Sequence, residues 1–143
     1  MTRGLLDVNV LIALFDPDHA LHERARAWFN RNAASGWASC PLTQNGCVRI
    51  MSHPGYPNAL SVRAIVERLR EATRSPYHEF WADDVSLLDP LIADASRIHG
   101  PRRLTDVYLL ALAVNRDGRF VTFDASIPLS AITGAEKKHV VAL

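Results

Sequence analysis

A single acidic residue interrupts the apolar start of the chain and restricts what that segment can become. Asp7 stands between Leu5-Leu6 and the segment Val8–Phe15, which is apolar except for Asn9. This pattern predicts a short buried strand that ends at Asp7 and passes directly into a buried helix. A carboxylate there is costly unless it is paired, hydrogen-bonded or bound to a metal ion. We therefore expect Asp7 to be functional, with a hydrogen-bonded turn aspartate as the alternative.

The rest of the chain alternates predicted strands and helices, which is typical of an α/β domain. With 143 residues and no linker or repeat, we expect one domain that covers residues 1–143. Apolar strands joined by helices predict a mostly parallel sheet with helices on both faces. The predicted strands are 5–6, 37–40, 77–81, 119–123 and an edge strand at 140–142. The predicted helices after Val8–Phe15 are 19–31, 42–51, 62–74, 91–98 and 106–115, with Asp18, Ser61 and Thr105 as helix caps.

Composition excludes several classes of protein. Hydrophobic residues make up 48% and charged residues 22%, which is typical of a folded globular chain rather than a disordered one. No apolar run approaches the roughly 18–20 residues of a membrane-spanning helix, and Asp7 comes too early for a signal peptide. Cys40 and Cys47 are too few for a disulfide framework, so we expect a reduced, cytoplasmic setting without membrane contact. The net charge of +1 neither requires nor excludes nucleic acid.

Acidic residues stand at the ends of two predicted strands and at the start of a helix. Asp7 follows the first strand, Asp124 follows residues 120–123, and Asp106 opens a helix, where an acid is also simply favourable. In open α/β sheets, ligands bind at the carboxyl ends of strands. If the three carboxylates converge, a hard cation such as Mg²⁺ would relieve their repulsion. Our leading hypothesis is hydrolysis of a phosphodiester by a metal-activated water.

Three segments together resemble a known family. Residues 5–14, LLDVNVLIAL, resemble the opening of PIN-domain nucleases, and residues 105–113 and 120–124 resemble their third and fourth acidic motifs. The resemblance covers essentially the whole chain, whose length suits the VapC toxins of type II toxin–antitoxin pairs. It implies a doubly wound α/β fold and an endoribonuclease dependent on Mg²⁺ or Mn²⁺. It also implies a homodimer and an antitoxin that blocks the site.

The resemblance carries over to five positions. Asp7, Asp106 and Asp124 match the metal-binding acids of the family. Asn9 matches the small polar residue two places after the first acid, and a helix cap is its alternative interpretation. Thr122 matches the polar residue before the last acid. We expect Asn9 and Thr122 to orient waters or ligands.

One motif departs from the family pattern. PIN nucleases usually carry a glutamate on the helix after the second strand, whereas residues 41–49 contain no acid. Gly46 falls nearest that position, and its neighbours Gln44 and Asn45 are candidates for substrate or water contacts, on a helix or on a loop before it. The departure puts a second metal ion and the catalytic rate in question. A catalytically weak or inactive module that binds RNA or protein is therefore the alternative function.

Arginines provide further candidates for phosphate contact. Arg49 lies beside the acid-free segment, and Arg102 and Arg103 precede Asp106. Their planar guanidinium groups suit phosphate recognition, although surface arginines without a specific role are equally expected. Aspartyl-phosphate phosphatases fit less well, because Asn9 replaces their second aspartate. Receiver domains also fit less well, because the acidic pair that they need is missing.

Overall fold

A computed structural model, which describes residues 2–143, contains a five-stranded parallel sheet. The strand order is β3-β2-β1-β4-β5, and each neighbouring pair is parallel. The chain winds outward from β1 to β3 and then returns to the other side of β1, so the winding reverses between β1 and β4. The doubly wound, parallel fold is confirmed. The strands are β1 Gly4–Leu6, β2 Trp37–Ser39, β3 His78–Phe80, β4 Arg119–Thr122 and β5 Val140–Ala142.

Helices cover both faces of this sheet. Alternate strand residues point to opposite faces, so Leu5 and Phe120 pack in the core that includes α5, whereas Leu6 and Val121 pack in the core beneath α1 to α4. Burial on both faces explains why the central strands are apolar throughout rather than alternating. The helices are α1 Val8–Phe15, α2 His22–Asn32, α3 Pro41–Met51, α4 Val62–Ala72 and α5 Leu104–Asn115.

The helices α1 and α5 are the most buried helices and lie closest to the central strands. Four successive residues of α1 are buried, and so are five successive residues of α5. A helix that is apolar on most sides belongs inside the fold. The first turn of each helix therefore lies beside the central strands, and each first turn begins with or contains an acid. Within residues 2–143, no helix is both long and apolar enough to span a membrane.

The segment around Gly46 is helical, which decides between the two alternatives for residues 43–46. A Cβ atom on Gly46 would lie 2.8 Å from Cγ2 of Val8, so a side chain there would collide with the first residue of α1. The close approach of α1 and α3 thus requires glycine despite its low helix propensity. The prediction for α4 is also confirmed, since the Ser61 hydroxyl accepts a hydrogen bond of 3.1 Å from the Ala64 N–H.

The predicted helix at 91–98 is wrong. This segment contains turns and one short 3₁₀ turn, Ala95–Arg97. Asp89 accepts a hydrogen bond from the Leu91 N–H at 2.9 Å, and Asp94 accepts one from the Ser96 N–H at 3.1 Å. Such local bonds between side chain and backbone compete with helix formation.

Two predicted helix caps are also wrong. α2 begins at His22, later than expected, because the Leu21 N–H donates to His19 Nδ1 at 3.0 Å in a preceding turn. Asp18 therefore does not cap it. α5 begins at Leu104, directly after the 3₁₀ turn Pro101–Arg103, and its N-cap makes no side-chain hydrogen bond. Thr105 lies inside the first turn, and the earlier start of the helix, at Leu104 rather than Asp106, leaves Asp106 in that turn.

Candidate active site

Two of the predicted acids lie at the point where the winding of the sheet reverses. Asp7 directly follows β1, and Asp124 lies just beyond β4, the parallel neighbour of β1. Both carboxylates therefore stand at the carboxyl edge of the sheet. A crevice opens at such a reversal, because the connections leave the two strands in opposite directions, and ligands bind there in open α/β sheets. Asp106 reaches the same neighbourhood from the first turn of α5, which packs on β1 and β4.

Asp7 is a buried carboxylate with only neutral hydrogen-bond partners. Its side chain is the N-cap of α1, where Oδ1 accepts from the Val8 N–H at 2.7 Å. The residue is only 7% exposed, and this burial raises the pKa of Asp7 to about 6. The hydrogen bond from Thr122 lowers that pKa, whereas the charge of Asp106 raises it. Asp7 is thus both a turn aspartate and a candidate ligand, and the two interpretations coexist.

Thr122 connects the ends of β1 and β4. Its buried hydroxyl donates to Asp7 Oδ2 at 2.9 Å and accepts from the Asp124 N–H at 3.2 Å. One side chain thereby orients the first acid and the backbone of the last one. Asn9 is exposed in the first turn of α1. Its alternative role as a helix cap is wrong, because Asp7 caps that helix.

Asp124 differs from Asp7 in exposure and in partners. Its Oδ1 accepts from the Ser126 hydroxyl at 2.6 Å and from the Ser126 N–H at 2.8 Å. Its Oδ2 accepts from Arg103 Nη1 at 2.5 Å. The hydrogen bonds from Ser126, followed by Arg103, lower the pKa of Asp124. Ser126 was not predicted as a partner of Asp124, although aspartate side chains commonly accept a hydrogen bond from the backbone two residues further on.

Asp106 is the acid without a direct partner. It is half-buried, and among residues 2–143 its side chain makes no hydrogen bond or ion pair. Burial and the charge of Asp124 raise the pKa of Asp106, and the nearby Arg103 opposes this shift. The three acids therefore influence one another electrostatically, and the Arg103 guanidinium directly contacts one of them, Asp124.

The chemistry of these donors fits a hard divalent cation. The site offers carboxylate oxygens, an excess of negative charge and one acid without a partner. Across residues 2–143, no three acidic, histidine or cysteine side chains are already arranged to share one metal ion. Mg²⁺ does not need such a closed set, since one or two carboxylates with waters and substrate phosphates usually hold it. The metal ligands remain a prediction that the donor set supports.

The structure brings two of the candidate arginines to the acids. A cavity of about 410 Å³ is lined by Asp106 and Asp124 together with Arg102 and Arg103. His99, Gly100 and Pro101 complete its wall. Acids and arginines on one wall can serve a metal ion and a phosphate at the same time.

The remaining candidates lie elsewhere. Gln44 and Asn45 line a separate cavity between α3 and α4, where Gln44 Nε2 donates to Ser39 Oγ at 2.9 Å. Arg49 is exposed near the end of α3 and lines a third, shallow cavity. Gly46 is the α3 residue that faces α1 beside Asp7, and any side chain there would require Val8 to move. Gln44, Asn45 and Arg49 do not line the cavity that holds Asp106 and Asp124.

Comparison with known proteins agrees with this geometry. The PIN-domain family model matches residues 4–132, which span the whole sheet except β5. The chain belongs to the PIN-domain family.

Within that family, the chain is similar to several VapC proteins of Mycobacterium tuberculosis. The chain is 57% identical to Ribonuclease VapC44 over 141 residues, 99% of each chain. It is 47% identical to Ribonuclease VapC38 over 87% of this chain and 86% of the relative. It is 43% identical to Ribonuclease VapC39 over 92% of this chain and 95% of the relative. The resemblance to the VapC branch of PIN-domain proteins is confirmed.

Proposed function

We propose that this protein is a Mg²⁺-dependent endoribonuclease and the toxin of a toxin–antitoxin pair. The main observation behind this proposal is a group of carboxylates, close to where the winding reverses between β1 and β4, whose negative charge is only partly neutralised by nearby cations. Support comes from the relatives whose names describe them as ribonucleases. RNA would be the substrate, read in unstacked, single-stranded regions.

Asp7, Asp106 and Asp124 would hold the Mg²⁺ ion, and Mn²⁺ would substitute for it. When bound, the ion supplies an activated water and stabilisation of the leaving oxygen. Thr122 holds one oxygen of Asp7 in place, and Ser126 holds one oxygen of Asp124. These contacts leave the carboxylates ordered before any ligand arrives, which reduces the cost of binding.

Polar side chains around the acids would bind the RNA backbone. Arg102 and Arg103 line the cavity beside Asp106, where their guanidinium groups suit a phosphate. Asn9 is exposed two positions after Asp7 and is free to contact a water or RNA. Gln44 and Asn45 would act only at a distance from the acids, on a neighbouring nucleotide.

A module that binds RNA or protein without cutting is the second candidate. The observation in its favour is α3, which presents Gly46 against Val8 where the family usually has a glutamate. The missing charge would weaken metal binding and slow the reaction. Cleavage distinguishes the two functions, whereas metal binding alone does not.

The test is cleavage of total cellular RNA by the purified protein. Wild type and Asp7→Asn are compared in Mg²⁺, in Mn²⁺ and in EDTA. Discrete fragments that require both the metal and Asp7 are expected, and sequencing their ends identifies the target. A folded, metal-bound wild type that leaves all RNA intact would instead establish the binding module.

The proposed partners follow from the same site. An arginine of an antitoxin would form charge-assisted hydrogen bonds with the acids and block the site. We also propose a homodimer and a cytoplasmic location, where cellular RNA is the substrate. Light scattering of the purified protein measures the dimer. Inhibition by the co-expressed antitoxin, lost when its arginine is replaced, tests the blocking contact.

A further inference from the structure

Arg103 contacts the Asp124 oxygen that has fewer hydrogen bonds and would therefore be the easier one for a new ligand to reach. Oδ1 already accepts two hydrogen bonds from Ser126, whereas Oδ2 is held by Arg103. Anything that binds Asp124 through Oδ2 therefore meets the guanidinium of Arg103 first. The contact joins residues that are 21 positions apart, one before α5 and one after β4.

A divalent cation and this guanidinium compete for the same oxygen. Like charges a few ångströms apart repel, and the repulsion grows as a site becomes less exposed to water. Arg103 also opposes the charge of Asp106, so it acts on both acids of the cavity. In the metal-free protein, Arg103 therefore does part of what a metal ion would do.

The Arg103–Asp124 contact is weak enough to exchange. The two side chains are 36% and 44% exposed, and ion pairs of that exposure change an equilibrium constant by about five-fold or less. Arg103 has a second destination close by, because it lines the cavity that Asp106, Asp124 and Arg102 share. A phosphate entering that cavity would accept two parallel hydrogen bonds from its planar fork.

We propose that Arg103 is an internal counter-ion that a divalent cation displaces from Asp124, so that its guanidinium becomes free to bind an RNA phosphate. This inference rests on the proposed function, since it assumes that the acids bind a metal ion. It makes Arg103 a metal-dependent part of the RNA-binding surface. Cation binding and RNA binding are then coupled through one side chain.

Metal affinity provides the first test. If Arg103 competes with the cation, removing it should raise the affinity for the metal, whereas removing a purely structural ion pair should not. Mn²⁺ is titrated calorimetrically into EDTA-treated wild type, Arg103→Gln and Arg102→Gln. The Arg103→Gln protein should bind Mn²⁺ about three- to five-fold more tightly than wild type, because the competitor is gone. Arg102→Gln removes the same charge from the same cavity without the contact to Asp124, so its gain should stay below about two-fold.

The guanidinium itself provides a second readout. In ¹⁵N NMR of the wild type, the Arg103 Nε–Hε resonance should shift on addition of Mg²⁺. The corresponding resonance of Arg97, which pairs with Asp94 on a separate 3₁₀ turn, should stay in place.

RNA affinity provides a third readout. In Ca²⁺, labelled oligo(U) should bind Arg103→Gln about five-fold more weakly than wild type. Arg103→Lys should retain part of this affinity, because it keeps the charge and loses the fork.

Several results would overturn the inference. These are an Mn²⁺ affinity of Arg103→Gln at or below that of wild type, or a gain no larger than that of Arg102→Gln. An unmoved Arg103 resonance or an unchanged oligo(U) affinity would do the same. If Arg103→Gln does not fold, Arg103→Lys and the wild-type NMR titration carry the test. Cleavage by wild type together with any of these results contradicts this inference alone, whereas metal binding without cleavage contradicts the proposed function alone.

Discussion

The ends of β1 and β4 are neighbours in the sheet, and each provides an aspartate with opposite electrostatics. Asp7 is buried, has neutral partners, and has a pKa raised to about 6. Asp124 is half-exposed, is paired with Arg103, and has a lowered pKa. The shared edge of the sheet explains why the two acids meet, whereas burial and partners decide how each carries its charge. Asp7 is therefore the acid that needs a cation, and Asp124 is the acid that already has an exchangeable one.

The largest expected effect tests whether Asp7, at the end of β1, belongs to the same site as Asp106, in the first turn of α5. Asp7→Asn and Asp106→Asn should each reduce RNA cleavage on the order of 1,000-fold, because each removes a charge at the reaction centre. Asp117→Asn, an exposed residue with positive φ beyond the other end of α5, is the matched control and should cleave normally. Initial rates on the mapped target RNA measure the loss. Near-wild-type cleavage by Asp106→Asn would contradict the site.

The second prediction compares how Asp7 and Asp124 affect the stability of the fold. In the folded protein the pKa of Asp7 lies above its ordinary value of 3.8. Protonated Asp7 therefore contributes fully to the free energy of unfolding below pH 3.8, and this contribution is lost as the pH rises through about 6. At pH 7.5 in EDTA, Asp7→Asn should therefore stabilise the fold by up to about 3 kcal/mol, less the cost of the hydrogen bond that the amide nitrogen cannot accept. Asp124 has a lowered pKa, so Asp124→Asn should destabilise it. Urea unfolding at pH 7.5 and pH 4 measures both, and equal signs would break the comparison.

The third prediction removes the connection between the two ends. Thr122→Val deletes the hydroxyl that donates to Asp7 and accepts from the Asp124 N–H. The fold should lose about 1–2 kcal/mol at neutral pH, and the pKa of Asp7 should rise further. Thr122→Ser keeps the hydroxyl and should retain the wild-type pKa in a ¹³C NMR titration of the carboxyl carbon. A Thr122→Val protein that also retains this pKa would show that Thr122 does not hold Asp7.

The smallest effect concerns Ser126 alone. Ser126→Ala removes the hydroxyl bond to Asp124 Oδ1 and keeps the backbone bond. The pKa of Asp124 should rise and the stability should fall by less than about 1 kcal/mol, because the site is exposed. The ¹³C titration of Asp124 measures the shift, with Asp7 as the internal reference. A shift of equal size at Asp7 would mean that the two ends are not electrostatically distinct.

Local sequence signals predicted much of the fold and failed at identifiable places. The apolar segments of β1 and β4 and the buried helices α1 and α5 were predictable, because their burial requires an unusual composition. The helix predicted at 91–98 failed, since Asp89 and Asp94 bond to nearby backbone N–H groups instead. The predicted start of α2 was wrong for a similar reason, because the His19 side chain accepts a hydrogen bond from the Leu21 N–H. Such competition between local hydrogen bonds depends on geometry that the pattern of residue types does not contain.

The sequence by itself determined which acids stand at the carboxyl edge of the sheet, because an acid that follows an apolar strand has little choice of position. Only the tertiary structure decided how those acids differ. Thr122 and Asp7 are 115 positions apart, and Arg103 and Asp124 are 21 apart. The placement of β4 beside β1 brings the first pair together, and the packing of α5 on both strands brings the second. Charge and pKa depend on the neighbours that a fold creates and on the water that it excludes, and neither can be read from residues adjacent in sequence.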